Sequence, residues 1–168
     1  CNLGLTPEEM IPLSAELGAD IPFFIRGGLQ LAENTGDQLS QVKGELLDGY
    51  YFLLIKPNFD ISTPWAYSQV KKYLYFPQKV HKFAPLKTPI NWQLFENDFE
   101  RVIESTYPET GIIKTELKNS GAIFSSLSGS GSTVFGIFDD QNHAKKACAF
   151  FASHPYWTCI SRPVIRKT

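Results

Sequence analysis

The sequence predicts an α+β fold, with helices laid over one face of an antiparallel sheet, on three observations. From Tyr50 onward, strand-like apolar runs and helix-period stretches follow one another in the order β-α-α-α-β-β-α-β. Two of the strand-like runs, "AIFSSL" and "STVFGIF", are separated only by a Gly-Ser turn, which makes them antiparallel neighbours. The composition, 43% hydrophobic and 20% charged over 168 residues, is that of a chain that builds a core and not of a disordered one.

Each element has its own signal. A first helix is expected from about Pro7 to Leu17: Thr6 caps it, Pro7 takes the first helical position, Glu8 and Glu9 favour its positive end, and Gly18 stops it. Met10, Leu13 and Leu17 give it an apolar stripe at helical spacing. Pro22 argues against a helix through "ADIPFFIRGG"; with the glycines at 27 and 28 and a turn at Gly36, this stretch reads as a loop and then a strand pair. "YYFLLIKP" (50–57) is apolar without alternation, the pattern of a strand buried on both faces. Thr63-Pro64 starts the next helix, and the Pro- and Lys-bearing 75–89 is an irregular connector. "NWQLFENDFERVIESTYP" reads as one amphipathic helix with Leu94, Phe95, Phe99, Val102 and Ile103 as its stripe, and Pro108 opens another that "NSG" closes. A helix with an acidic start at "DDQNHAKK" and a last strand, "WTCISRPVI", complete the order.

Charge and cysteine content exclude several classes. Lys+Arg 16 against Asp+Glu 17 leaves a net charge of -1, so no basic footprint points to nucleic acid or an anionic membrane. Cys1, Cys148 and Cys159 show no CxxC spacing and no zinc pattern, which predicts a reducing cytoplasm. No apolar run approaches the ~20 residues of a membrane-spanning helix. The chain opens on Cys1 without an initiator Met and enters a helix at once, so these residues are expected to begin inside a longer polypeptide.

Three stretches could carry chemistry. In "SLSGSGST", Gly129 and Gly131 lack Cβ atoms where a ligand or another backbone approaches, and successive N–H groups there can form an anion-binding concavity; a tight hairpin turn explains the same residues. In "LGADIPFF", Asp20 stands beside Pro22 and two phenylalanines, where a carboxylate fixed against an apolar wall can take or orient a hydroxyl proton; an Asx-turn is the alternative. In "KPNFDISTPWAY", Thr63, Pro64 and Tyr67 begin a helix beyond a strand's end, and an exposed aromatic there can stack on a base; a capped helix with its aromatics in the core is the other reading.

Taken in order, "LGADIPFF", "GG", "KPNFDISTPWAY", "NDFE" and "LSGSGSTVFGIF" resemble the GHMP kinases over nearly the whole chain. The resemblance implies that 1–48 is the tail of the family's N-terminal domain and 49–168 its C-terminal domain. It implies an ATP- and Mg2+-dependent small-molecule kinase with Asp20 as the base or orienter of the acceptor hydroxyl. Thr63, Pro64 and Tyr67 would line a cytidine pocket in which Tyr67, where the family's Phe is expected, stacks on cytosine and adds a hydroxyl. Ser128, Gly129, Ser130, Gly131 and Ser132 would form a loop facing the nucleotide cleft. No residue is assigned as a metal ligand. The family's Pro-x-x-x-Gly-Leu-Gly-Gly-Gly-Ser-Ser loop occurs nowhere in the chain, so these residues alone are expected to be inactive. The alternatives are a GHMP kinase acting on mevalonate, homoserine or a sugar, and a non-catalytic α+β binding module.

Overall fold

The computed structural model describes residues 4–18, 20–33, 38–73 and 89–164. Cys1, the Gly36 turn and all of the 75–89 connector but its last residue lie outside them. The chain divides into two compact units, Cys1–Asp48 with Pro163–Thr168, and Gly49–Arg162.

In the first unit, helix α1 spans Pro7–Leu17. Its start is a capping box: the Thr6 hydroxyl accepts from the Glu9 N–H, and the Glu9 carboxylate accepts from the Thr6 N–H at 2.8 Å. The Gly18 N–H closes it on the Ser14 carbonyl. The expected apolar stripe is not buried: Leu13 and Leu17 are exposed, and the buried residue is Ser14, whose hydroxyl donates to the Ile11 carbonyl. Helix α2, Ile21–Arg26, corrects the reading of Pro22 as a breaker. Proline in the first turn loses nothing, because the N–H it lacks would have no partner inside the helix. Strands β1 (Gln30–Glu33) and β2 (Gln38–Gln41) form the antiparallel pair that was expected.

The second unit is a four-stranded antiparallel sheet in the order β4-β5-β3-β6, built from β3 (Tyr51–Lys56), β4 (Phe124–Leu127), β5 (Val134–Phe138) and β6 (Trp157–Ser161). Its helices are α3 (Thr63–Tyr73), α4 (Glu100–Thr106), α5 (Pro108–Asn119) and α6 (Gln141–Ala152). Helix α5 packs on β4 and β5, and α6 packs on β3, β5 and β6. The core lies between: Leu53, Ile55, Val134 and Phe138 of the sheet meet Ile113 and Leu117 of α5 and Ala144, Ala147 and Phe151 of α6. Gly136 is dictated by this packing, since a Cβ there would stand 2.8 Å from the Leu117 Cδ2.

Two readings of this unit change. Strand β3 is fully buried on one face only; on the other, Phe52 stacks on Phe135 at 6.4 Å and remains half-buried. The single helix expected over 91–108 is a 3-10 turn, Trp92–Leu94, followed by α4. The break has a cause: the Asn97 side-chain Oδ1 accepts from the Phe99 N–H at 2.9 Å, an Asx turn that starts α4 afresh. Leu94 is consequently exposed, while Val102 and Ile103 are buried as the stripe required. Among the described residues no helix is long and apolar enough to cross a membrane.

Candidate functional site

The Gly-Ser loop joins β4 to β5, and its own backbone folds it tightly. The Ser128 N–H donates to the Thr133 carbonyl at 2.8 Å, and the Gly131 N–H to the Ser128 carbonyl at 3.0 Å. Both glycines are left-handed, Gly129 at φ 55° and Gly131 at φ 86°, so each needs to be glycine on conformational grounds alone. Their surroundings differ. A Cβ on Gly131 would press on Ile61 and Leu127 at 3.1 Å, whereas one on Gly129 would meet nothing within 4 Å. Close approach at Gly131 is thus to the protein's own core, and open space lies only beside Gly129.

Side chains anchor the loop to the turn after β3. Ser132 is buried and its hydroxyl donates to the Phe59 carbonyl at 2.5 Å. The same carbonyl accepts from the Lys56 ammonium at 2.7 Å, which also pairs with Asp60 at 2.8 Å. Ser130 reaches Thr63 of α3, hydroxyl to hydroxyl, at 3.0 Å. The fold thereby brings two of the stretches singled out in the sequence into direct contact.

Thr63, Pro64 and Tyr67 are all exposed on the first turns of α3. Threonine and tyrosine four residues apart share a helix face, while Ala66 and Val70 turn into the core. Tyr67 is 54% exposed, and its ring meets Phe99 edge to face at 4.9 Å, which fixes its plane without covering it. The alternative of aromatics packed into the core holds instead for Trp65, which packs against Tyr107 at 5.7 Å.

Asp20 belongs to the first unit, at the residue preceding α2. Its side chain is exposed and makes no cap hydrogen bond to α2. Neighbouring Pro22 is buried, and Phe24 is exposed.

Sequence reasoning assigned no role to an ion cluster at the loop's root. Glu100 accepts from the Ser126 hydroxyl at 2.8 Å, from the Leu127 N–H at 2.9 Å and from the Lys114 ammonium, which also donates to Glu104 at 2.6 Å. Burial alone would raise the Glu100 pKa, but the hydrogen bonds from Lys114, Leu127 and Ser126 and the Lys114 charge outweigh it and hold it below the usual carboxylate range. Lys114 is raised in the same way, the two glutamates overcoming burial. A depressed carboxylate contributes stability that is complete above its unfolded value and lost as pH falls through its folded one. Glu100→Gln is therefore expected to lower stability by about 1–3 kcal/mol near neutral pH, with the gap from the parent protein closing in acid below the normal carboxylate range. Thermal melting of both proteins against pH measures this, and a gap that is constant with pH would contradict it. The only advance signal for Glu100 was its place in "NDFE".

Two of the loop's amides are spent within the loop, and no group of three or more His, Cys, Asp or Glu among the described residues could hold a metal ion.

Comparison with known proteins agrees with this architecture. Residues 83–156 match the C-terminal domain of the GHMP kinases. The chain is 38% identical over 152 residues to the 4-diphosphocytidyl-2-C-methyl-D-erythritol kinase of Parabacteroides distasonis, covering 89% of this chain and 55% of that one. It is 34% identical over 172 residues to the same kinase of Gloeobacter violaceus, covering 92% and 54%. The chain thus spans about half the length of the curated relatives it matches. Among solved structures, a 4-(cytidine 5'-diphospho)-2C-methyl-D-erythritol kinase superimposes with TM-score 0.69 at 22% identity, over 90% of this chain and 56% of that one. The homoserine kinase of Cytophaga hutchinsonii superimposes at 0.66 and 16% identity, over 96% and 58%. A sheet of order β4-β5-β3-β6 under α5 and α6, the ordered motifs, and relatives of one name at more than 30% identity point the same way: the chain is similar to the GHMP kinases over about half of those relatives' length.

Proposed function

We propose that this chain forms the acceptor-binding side of an ATP- and Mg2+-dependent kinase that phosphorylates the 2-hydroxyl of 4-diphosphocytidyl-2-C-methyl-D-erythritol, in cytoplasmic isoprenoid precursor synthesis by the non-mevalonate route. Residues 1–48 are read as the end of the family's N-terminal domain and 49–168 as its C-terminal domain. One observation carries the reading: an exposed, edge-supported Tyr67 stands on one helix face with Thr63, and Thr63 is bonded to the Gly-Ser loop. An aromatic ring held by its neighbour and open to solvent suits a flat base, and a threonine hydroxyl one turn away suits the base's polar edge.

In this reading cytidine stacks on Tyr67, and Asp20 serves the acceptor hydroxyl. There Asp20 accepts the hydroxyl proton or holds its direction. Phosphoryl transfer gains most of its rate from such alignment and from stabilising charge, so one exposed carboxylate suffices for this side of the reaction. When bound, ATP with Mg2+ supplies the phosphoryl group and neutralises its charge. Its triphosphate is held by residues outside this chain, and Cys1–Thr168 alone is expected to turn nothing over.

Titration of the chain with CDP, followed by tyrosine fluorescence or amide shifts, tests the reading. Saturable CDP binding with no response to homoserine or mevalonate is the expected result. Homoserine or mevalonate binding in its place would favour the second reading, another GHMP acceptor, which the likeness to homoserine and mevalonate kinases at TM-score 0.66 supports. Phosphoryl transfer by the purified 168-residue chain would refute the division of labour proposed here.

A further inference from the structure

The loop's remaining anchor is Asn97, and every polar group of its side chain is used. Its amide nitrogen donates to the Leu127 carbonyl at 2.8 Å and to the Gly129 carbonyl at 2.9 Å, while its oxygen accepts from the Phe99 N–H. Among the described residues strand β4 is an edge of the sheet and pairs only with β5. Leu127 stands opposite Val134, and both of its backbone polar groups are met from outside the sheet, the N–H by Glu100 and the carbonyl by Asn97. The start of α4 thus stands where a further strand would, and Asn97 extends that pairing one step into the loop, to Gly129.

The consequence reaches α3. Gly129 immediately precedes Ser130, the residue that bonds Thr63. A Cβ on Gly129 would meet nothing within 4 Å, whereas the Gly129 carbonyl is held by the Asn97 amide. Phe99, whose N–H Asn97 binds, is also the residue against which Tyr67 rests. A single asparagine therefore ties together both sides of the proposed base pocket.

We infer that Asn97 is a positioning residue: it sets the Ser128–Ser132 loop, and through Ser130 and Phe99 it fixes the Thr63 hydroxyl and the Tyr67 ring that receive the acceptor's base. The functional half of this rests on the cytidine reading above; the structural half does not.

Asn97→Asp tests it, because the carboxylate keeps the acceptor toward Phe99 and places negative charge against two carbonyl oxygens. Amide hydrogen exchange on the 168-residue chain should show Ser128 and Gly131, whose N–H groups close the loop, exchanging at least ten times faster, with α6 and β6 unchanged. CDP affinity should fall at least fivefold in Asn97→Asp and in Ser130→Ala, which removes only the hydroxyl that meets Thr63. Unchanged exchange at Ser128 and Gly131 would overturn the inference, and so would an equal acceleration throughout the sheet, the mark of a merely structural residue. Should Asn97→Asp not fold, Asn97→Ala removes the same donors without adding charge and is read by the same criteria. If the parent chain binds no CDP, the cytidine reading fails, while the exchange rates still decide whether Asn97 sets the loop.

Discussion

In a full-length polypeptide acting as proposed, Asp20→Asn is expected to lower kcat by about 10²–10⁴-fold and to leave KM for the proposed cytidylyl acceptor nearly unchanged. The amide keeps the size of the carboxylate but neither takes a proton nor bears the charge that orients the hydroxyl, so the loss falls on the transition state and not on binding. The structure makes the substitution a clean one. Asp20 caps nothing, its side chain is exposed, and α2 begins after it with Pro22 in its first turn. Stability and cytidine binding should both survive. Steady-state kinetics with varied acceptor decide: a collapse in affinity with turnover preserved would remove Asp20 from the role given to it.

Tyr67→Ala should weaken CDP binding by about 5- to 150-fold, the value of one base–aromatic stack at roughly 1–3 kcal/mol, whereas Tyr67→Phe should bind almost as the parent does. The contrast separates the ring from its hydroxyl. Tyr67 is more than half exposed and touches Phe99 only edge to face, so its removal opens no cavity in the core and the melting temperature should hardly move. Equal affinities for the parent and Tyr67→Ala, measured by calorimetry, would place the base elsewhere.

Much of this fold was legible because its signals are local. Thr6-Pro7 with Glu9 three residues after the cap, Asp140 before α6, and Pro108 at the first position of α5 each announce a helix within four residues, and each helix begins there. The failures are equally physical. Pro22 was read as a breaker because its effect depends on which turn it occupies, and that is fixed only once the helix start is known. The 91–108 stretch keeps its apolar period through the break, because the period records which face is buried and not whether the backbone is continuous; Asn97 broke it with a bond that periodicity does not encode. For the site, residue types pointed to Thr63, Tyr67 and the Gly-Ser loop separately. The Thr63–Ser130 contact and the Asn97 and Glu100 anchors join residues far apart in sequence, and only the closed sheet brings them together.

The place of β3 in its sheet bears on how the protein is made. This strand is the first of the four to leave the ribosome, yet it is an inner one, with Leu53 paired to Gly136 on one side and to Ile160 on the other. Until those late segments emerge, a run of six mostly apolar residues has both hydrogen-bonding edges open, the condition that favours mispairing between nascent chains. Closing the sheet waits for β6, the last of its four strands in the sequence. A stop codon or proteolytic cut just before Trp157 would therefore not trim an end but strip one side from the central strand, and its product should be recovered as aggregate, not as a shortened domain.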